Sequence, residues 1–313
     1  MRTSPQTRPE VAVVLPCHNV EAYLQRALDS IFAQTHNDLH VYAVDDGSTD
    51  HTRQILKENA GCCTLFSQSH CGPGAARNRA IQMSDSAFVA FLDADDEWLP
   101  HKLERQISFL KQEPSVGLVC SLCAVQESGN RAPVKAPQSP SSGRLFEHLA
   151  RTCFVFTPTV VVRRCCLDEV GLFNETLPVS EDFNLWLRVA ARWKIALLPE
   201  VLAVNHRRLD SLSARIPPAE RLQAGVAALE HVRSSCPELS PSEAQALRLA
   251  IAERTYFYAS FLLATGAMEV ARHELESVLK LQPAHWRALV KLALTFLPRN
   301  TYALLAGLRS GSL

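Results

Sequence analysis

The 313-residue sequence has no glycine run after its first apolar segment. LPCHNVEAY stands where a phosphate-binding turn would begin. That excludes the G-x-G-x-x-G dinucleotide fingerprint and the loop of nucleoside triphosphatases, which need glycine so that backbone amides can reach phosphate. Charge of one sign is not in excess either. Lysine plus arginine is 32 and aspartate plus glutamate is 32. The balance predicts no electrostatic grip on nucleic acid or on an anionic membrane, although a local patch can hide inside a neutral total. No stretch approaches the roughly 20 apolar residues of a membrane span. The opening MRTSPQTRPEVAVVLPCHN does not read as a signal peptide, because its apolar run Val11–Leu15 is short and fits a strand. The expected location is cytoplasmic, at most peripheral to the cytoplasmic face of a membrane.

Cysteine is not scarce, with ten residues. Cys62, Cys63, Cys120, Cys123, Cys165 and Cys166 sit in apolar runs, so they read as reduced core residues. Cys120 and Cys123 form a CxxC pair, but no second ligand pair follows at finger-like spacing, so core packing is the better reading.

The hydrophobic fraction of 47% suits a real core. From Val11 to Glu127 apolar strands alternate with helices. VAVVLPC, LHVYAVDD, CTLFSQ, AFVAFLD and VGLVCSLCAVQE read as strands. VEAYLQRALDSIFAQ, HTRQILKENA after a Ser48 cap, GAARNRAIQMS and HKLERQISFLKQ read as helices. This order predicts an α/β fold, a mostly parallel sheet flanked by helices. Ligands of such sheets sit beyond the strands' carboxyl ends. His18, Asn19, Asp45, Asp46, Asp93 and Asp95 all fall there. Residues 128–143 are rich in Pro, Ser and Gly and read as a long mobile loop. A helix over Leu145–Thr152, a β stretch over Phe156–Arg163, a helix over Glu181–Arg192 and a β stretch over Ile195–Val204 follow. From Ala219 the pattern is all-helical. YFYASFLLATGAMEVARHELESVLKLQP resembles one tetratricopeptide-like hairpin, with small residues at Ala259, Gly266 and Ala271. Such a region could cap the fold or dock a protein partner. The expected organisation is a flexible stretch over 1–10, a catalytic domain over 11–218 and a helical extension over 219–313.

Chemistry concentrates in VAFLDADDEWLP. Asp93 and Asp95, two apart on extended chain, are expected to face one side. Oxygen ligands with open positions suit Mg²⁺ or Mn²⁺, whose other sites could go to a diphosphate. A calcium loop is excluded, because Trp98 stands where its turn needs glycine.

Five segments occur in one order: PCHNVEAYLQRALDSIFAQT, VDDGSTDHT, GPGAARNRAI, FLDADDEWLPHKL and VGLFNETLPVSEDFNLWLRVA. Together they resemble family 2 of the inverting nucleotide-sugar glycosyltransferases, over about Val11 to Ser213. The resemblance implies a GT-A fold and a UDP-, GDP- or dTDP-linked donor, with a hydroxyl acceptor on a glycan, a lipid-linked glycan or a small molecule. It implies that Pro16, Asn19, Glu21 and Asp46 hold the base and ribose, and that Arg77 lies near the base or diphosphate. Asp93 would contact ribose or metal, and Asp95 would be the principal ligand of Mn²⁺ or Mg²⁺. Asp182 would be the general base, beside Glu181 as runner-up or positioning group, with Ser180 capping their helix. Trp186 is expected to pack that helix down, while Arg188 has no assigned role. One departure stands out. The family's late histidine near the metal or diphosphate is replaced by Arg208 in NHRRLDSLS, which can meet the donor's phosphate but cannot ligate a metal, and His206, two residues earlier, is the candidate metal ligand in its stead. Two other readings compete. A degenerate, non-catalytic scaffold would act through its helical tail. A sugar nucleotidyltransferase would need a Gly-rich, basic first turn, which PCHNVE is not.

Overall fold

The computed structural model describes residues 8–127, 130–133, 142–208 and 211–296. Contacts divide the chain into two units, Met1–Ala214 and Arg215–Leu313. In the first unit the order is β1 (Val11–Cys17), α1 (Leu24–Phe32), β2 (Leu39–Asp46), α2 (Thr52–Glu58), β3 (Cys63–Gln68), α3 (Pro73–Gln82) and β4 (Phe88–Phe91). There follow β5 (Glu97–Trp98), α4 (Lys102–Gln112), β6 (Val116–Glu127), β7 (Asn130–Pro133), β8 (Ser142–Gly143) and α5 (Phe146–Arg151). A 3-10 turn (Thr157–Thr159) leads into β9 (Val161–Arg163), α6 (Arg164–Val170), α7 (Glu181–Arg192) and β10 (Lys194–His206).

The described strands form one sheet in the order β3-β2-β1-β4-β9-β6-β10-β5, with β7 on β6 and β8 on β10. β1 pairs in parallel with β2 and β4, and β2 with β3. β9 runs antiparallel to both β4 and β6, so the sheet is mixed but mostly parallel, as the alternation predicts. Apolar residues fill β1 without alternation because both faces are covered. Helix α1 buries Leu24, Ala27, Leu28 and Ile31, one face at helical spacing, against this sheet. Each such leucine contributes about 1.5–3 kcal/mol by leaving water.

Several boundaries differ from expectation. Ser48 does not cap α2: its hydroxyl accepts from Asn19 N–H at 3.1 Å and its own N–H donates to Asp45 Oδ1 at 3.0 Å. Gly47 turns the chain there at φ +73°, with the His70 backbone so near that a Cβ would meet its nitrogen at 2.8 Å. The Phe156–Arg163 run is not one strand. Pro158 cannot donate to a ladder, and it sits in the 3-10 turn before β9. Asp93 and Asp95 do not lie on extended chain. Asp96 N–H donates to Asp93 O at 2.9 Å, closing a turn after β4, so strand alternation does not govern them. Part of the expected 128–143 loop is β7 and β8, because sheet edges there offer unpaired backbone groups. The rest of that loop lies outside the described residues. Cys62 and Cys165 are exposed, since each sits outside a strand beside a buried partner cysteine; Cys120 and Cys123 are buried, and all ten cysteines are free.

In the second unit α9 (Pro218–Ser235), α10 (Pro241–Ala264), α11 (Met268–Leu281) and α12 (Trp286–Leu294) follow a short α8 (Leu212–Arg215) that spans the division. Ser240 and Glu243 form a reciprocal capping box at the start of α10. Ala259, Leu263, Ala271, Leu275 and Val278 are buried between α10 and α11. Gly266, at φ +85°, makes the tight turn between them.

Candidate active site

Two clusters form beyond the carboxyl ends of β1, β2 and β4. The first surrounds Asp46, the buried last residue of β2. Its carboxylate accepts from Gln68 Nε2 at 2.8 Å, Cys71 N–H at 2.9 Å and Gly72 N–H at 2.8 Å. His70 Nδ1 lies 2.9 Å from Oδ2, the oxygen that also accepts from Gly72. His18 Nδ1 donates to the Asp46 carbonyl at 2.8 Å, and the His18 and His70 rings stack with centroids 4.0 Å apart. Ligand atoms of His18, Asp46 and His70 all lie within 4.8 Å of one another. Among the described residues no other trio of His, Cys, Asp or Glu has that spacing. An imidazole-rich set suits zinc, nickel or copper more than magnesium.

Asn19 stands beside this cluster in the left-handed region, at φ 51°, which asparagine tolerates. Its Oδ1 accepts from Thr49 N–H at 2.8 Å. Glu21 Oε2 accepts from His51 N–H at 2.7 Å. Pro16 lies in β1 opposite Val44. Thus Asn19 and Glu21 tie the turn after β1 to the turn after β2.

The second cluster is built around Arg77 on α3. Its Nη2 is 2.7 Å from Asp93 Oδ1 and its Nη1 is 2.6 Å from Glu181 Oε1. Burial alone would lower the arginine's pKa, but the two acids outweigh it and hold it above its usual value. Burial, then the neighbouring Asp182 charge, pushes Glu181 up to about 7. Asp182 Oδ2 accepts from Thr157 Oγ1 at 2.8 Å and Oδ1 from Phe183 N–H at 2.6 Å, so the carboxylate is held from two sides. Ser180 does not cap α7 through its side chain. It occupies the left-handed region at φ 65°, which turns its hydroxyl away from the helix amides. Trp186 is fully buried, edge-on to Phe91 and Phe173, which fixes α7 on the sheet. Arg188 bonds the carbonyls of Val170 and Leu172 and so ties α7 to the loop after α6.

Asp95 is met by Arg208, whose Nε and Nη2 both reach Asp95 Oδ2, at 2.9 and 2.8 Å. The guanidinium also lies 4.3 Å from the Tyr23 ring centroid. Arg26 Nη2 donates to the Asp95 carbonyl at 2.7 Å. Burial, then the Asp93 charge, raises the Asp95 pKa, and Arg208 opposes this. His206 pairs instead with Glu97, at 3.2 Å. Asp96 is buried and accepts from His206 N–H at 3.0 Å and Asn205 Nδ2 at 3.0 Å, so it anchors the end of β10 beside the Asp93–Asp95 turn.

The family-wide pattern described as glycosyl transferase family 2 matches residues 12–169, which include both acidic turns and Arg77. The chain belongs to that family. A relative in Bacillus subtilis, described as a putative teichuronic acid biosynthesis glycosyltransferase TuaG, is 34% identical over 186 residues, 58% of this chain and 71% of its own length. An uncharacterised glycosyltransferase of Nostoc is 34% identical over 174 residues, 51% of this chain. The chain spans 53% of that Nostoc protein and 26% of a Rickettsia bellii relative. The family's GT-A fold is seen in S. aureus TarS 1–349 in complex with UDP-GlcNAc, which has a TM-score of 0.67 at 20% identity, covering 87% of this chain and 81% of that one. The mannosyltransferase PcManGT from Pyrobaculum calidifontis, in complex with GDP-Man and Mn²⁺, has a TM-score of 0.58 at 21% identity, covering 97% and 88%.

Within this family setting, sequence reasoning missed His70 and Thr157 as site residues. Both sit in loops without a periodic signal, and only the fold brings them to Asp46 and Asp182.

Proposed function

We propose that this chain is an inverting glycosyltransferase that moves one sugar from a nucleoside-diphosphate donor to a hydroxyl on a glycan or lipid-linked glycan. The observation that carries the reading is the Arg77 bridge. One guanidinium ties Asp93, on the donor side of the fold, to Glu181, the neighbour of Asp182. The reaction needs such a link, because donor and base must stand on opposite sides of one anomeric carbon. TarS in complex with UDP and UDP-GlcNAc, and PcManGT in complex with GDP-Man, support a nucleotide-linked donor.

Asp182 takes the proton of the acceptor hydroxyl. The acceptor oxygen bonds the anomeric carbon as its bond to phosphate breaks, and the electron pair leaves with the nucleoside diphosphate. Inversion follows from the single displacement. Thr157 keeps the base oriented. Pro16, Asn19 and Glu21 shape the base and ribose side, and Asp46 does so by fixing the His70–Gly72 loop. Arg208 can meet phosphate through its planar fork.

Asp93 and Asp95 fit a hard divalent cation, Mg²⁺ or Mn²⁺. They are two neighbouring oxygen donors, and burial, then the Asp93 charge, raises the Asp95 pKa although Arg208 opposes this. Such a cation, when bound, neutralises charge on the leaving diphosphate.

A thermal-shift panel of UDP-, GDP- and dTDP-sugars, with and without Mn²⁺, tests the reading, because a bound ligand raises the melting temperature. One nucleotide should raise it, and more so with Mn²⁺. No shift from any donor would sink the proposal. Binding without donor consumption, in the presence or absence of acceptors, would favour the scaffold.

A further inference from the structure

The last helix of the second unit has two apolar faces. Ala288 and Leu292 turn inward onto the α10–α11 core. Trp286, Leu289, Val290 and Ala293 are exposed. Their spacing of i, i+3, i+4 and i+7 makes them one continuous stripe along the opposite side. Trp286 is 64% exposed, Leu289 48% and Val290 39%, and Phe296 just beyond the helix is 67% exposed. Scattered apolar side chains on a surface need no explanation, but a contiguous stripe with a tryptophan does.

Charge identifies what covers it. After Glu276 the sequence contains no aspartate or glutamate, while Lys280, Arg287, Lys291, Arg299 and Arg309 are all basic. That is a local excess of five positive charges in a chain that is neutral overall. Lys291 is engaged with Ser260 and the Tyr256 ring, whereas Arg287 flanks the stripe beside Trp286. An apolar stripe with an aromatic anchor, with Arg287 beside it and in a stretch of sequence without acids, is the chemistry of a helix lying in the interface of an anionic membrane. Two copies meeting through this face would bring like charges together, which disfavours self-association.

We propose that the outer face of α12 docks the protein on an anionic lipid surface, with Trp286, Leu289 and Val290 inserted and Arg287 at the headgroups. No described helix is long and apolar enough to cross a membrane, so the contact is peripheral. The inference rests on the second unit alone and stands apart from the transferase reading.

Flotation of the full chain with vesicles provides the test. Vesicles of phosphatidylcholine are compared with vesicles containing roughly a third phosphatidylglycerol. The protein should float only with the anionic vesicles and should be released as salt shortens the Debye length below about 10 Å. Trp286→Ser, Leu289→Ser and Val290→Ser combined should lower the partition coefficient by about tenfold or more. The melting temperature should not fall, because these side chains are exposed. No flotation of the wild-type chain overturns the proposal, as does equal flotation of the triple variant. A melting temperature lowered in the triple variant, without wild-type vesicle binding, would mean that the stripe is covered within the chain and would overturn the proposal. A wild-type dimer that becomes monomeric in the triple variant, again without vesicle binding, would assign the face to a second copy.

Discussion

Arg77 holds Asp93 and Glu181 at once, with one terminal nitrogen 2.7 Å from the first carboxylate and the other 2.6 Å from the second. Arg77 and Glu181 are both buried, and the planar guanidinium fork presents a separate nitrogen to each acid. Arg77→Ala should therefore cost about 3–5 kcal/mol, the usual penalty for leaving buried charge uncompensated. Adding Glu181→Gln to that variant should restore most of the loss, since the stranded carboxylate is gone. Urea unfolding of the two variants measures both effects. A mild single variant, or no recovery in the double, would show that the bridge does not organise the site.

Asp182 is held by Thr157 and by its own helix start, so its carboxylate has a fixed orientation. Asp182→Asn keeps the shape and removes the proposed base. Turnover should fall by ~10²–10⁴ while donor affinity stays as it was. Thr157→Val should lower turnover less, because the base remains but can rotate. Calorimetric donor binding beside initial rates separates the two. Full turnover by Asp182→Asn would move the base elsewhere, first to Glu181.

The strands and the helices flanking them were legible because apolar periodicity is local. The mixed direction of β9 was not, since Phe156–Arg163 looks like one β run until Pro158 interrupts it. The acids of the site could be named from spacing and order, yet their partners could not. Arg77 stands sixteen residues before Asp93 and over a hundred before Glu181 in the chain. Arg208 reaches Asp95 across an even longer separation. Spacing also misled at Asp93 and Asp95, where a turn replaces the extended chain on which alternation depends. Pairing across such separations is set by sheet order, which no local pattern encodes.

If the proposed cation is held by Asp95, Arg208 would compete with it for that carboxylate. Both guanidinium nitrogens reach Asp95 Oδ2. A charge-assisted hydrogen bond of this kind is worth about 1.5–3 kcal/mol. Arg208→Gln should thus bind Mn²⁺ more tightly than wild type in the absence of donor, by about tenfold. The same change should weaken donor binding if the arginine meets diphosphate in the complex. Titration of free Mn²⁺ by its electron paramagnetic resonance signal gives the first number without any assay of activity. An unchanged Mn²⁺ affinity would place the metal away from Asp95.

Glu181 gives the site a pH dependence of defined sign. Its folded value of about 7 lies above the ordinary carboxylate value of 4.5, chiefly through burial. Between the two, the folded protein binds more protons than the unfolded chain. The stability this group contributes is present at low pH and is lost as pH rises to about 7, by up to about 3 kcal/mol. Glu181→Gln lacks that loss. Its melting temperature relative to wild type should therefore climb between pH 5 and about pH 8. A gap that stays level, or narrows, would mean that Arg77 dominates and holds the acid ionised.

Among the described residues the buried amine of Lys102 has no hydrogen-bond partner, and it lies 4.3 Å from the Trp98 ring centroid. It is fully enclosed, and burial lowers its pKa well below the ordinary lysine value. The unfolded chain binds this proton more readily than the folded one. Stability therefore rises with pH from the depressed folded value up to the ordinary value near 10.5. Lys102→Met keeps the length of the side chain and removes the unpaired amine. It should stabilise the first unit at neutral pH by about 1–3 kcal/mol, and the gain should shrink as pH rises. Differential scanning calorimetry at pH values from 6 to about 9.5 measures both trends. Loss of stability in Lys102→Met across that range would show the opposite balance, a charged ammonium held by the Trp98 face.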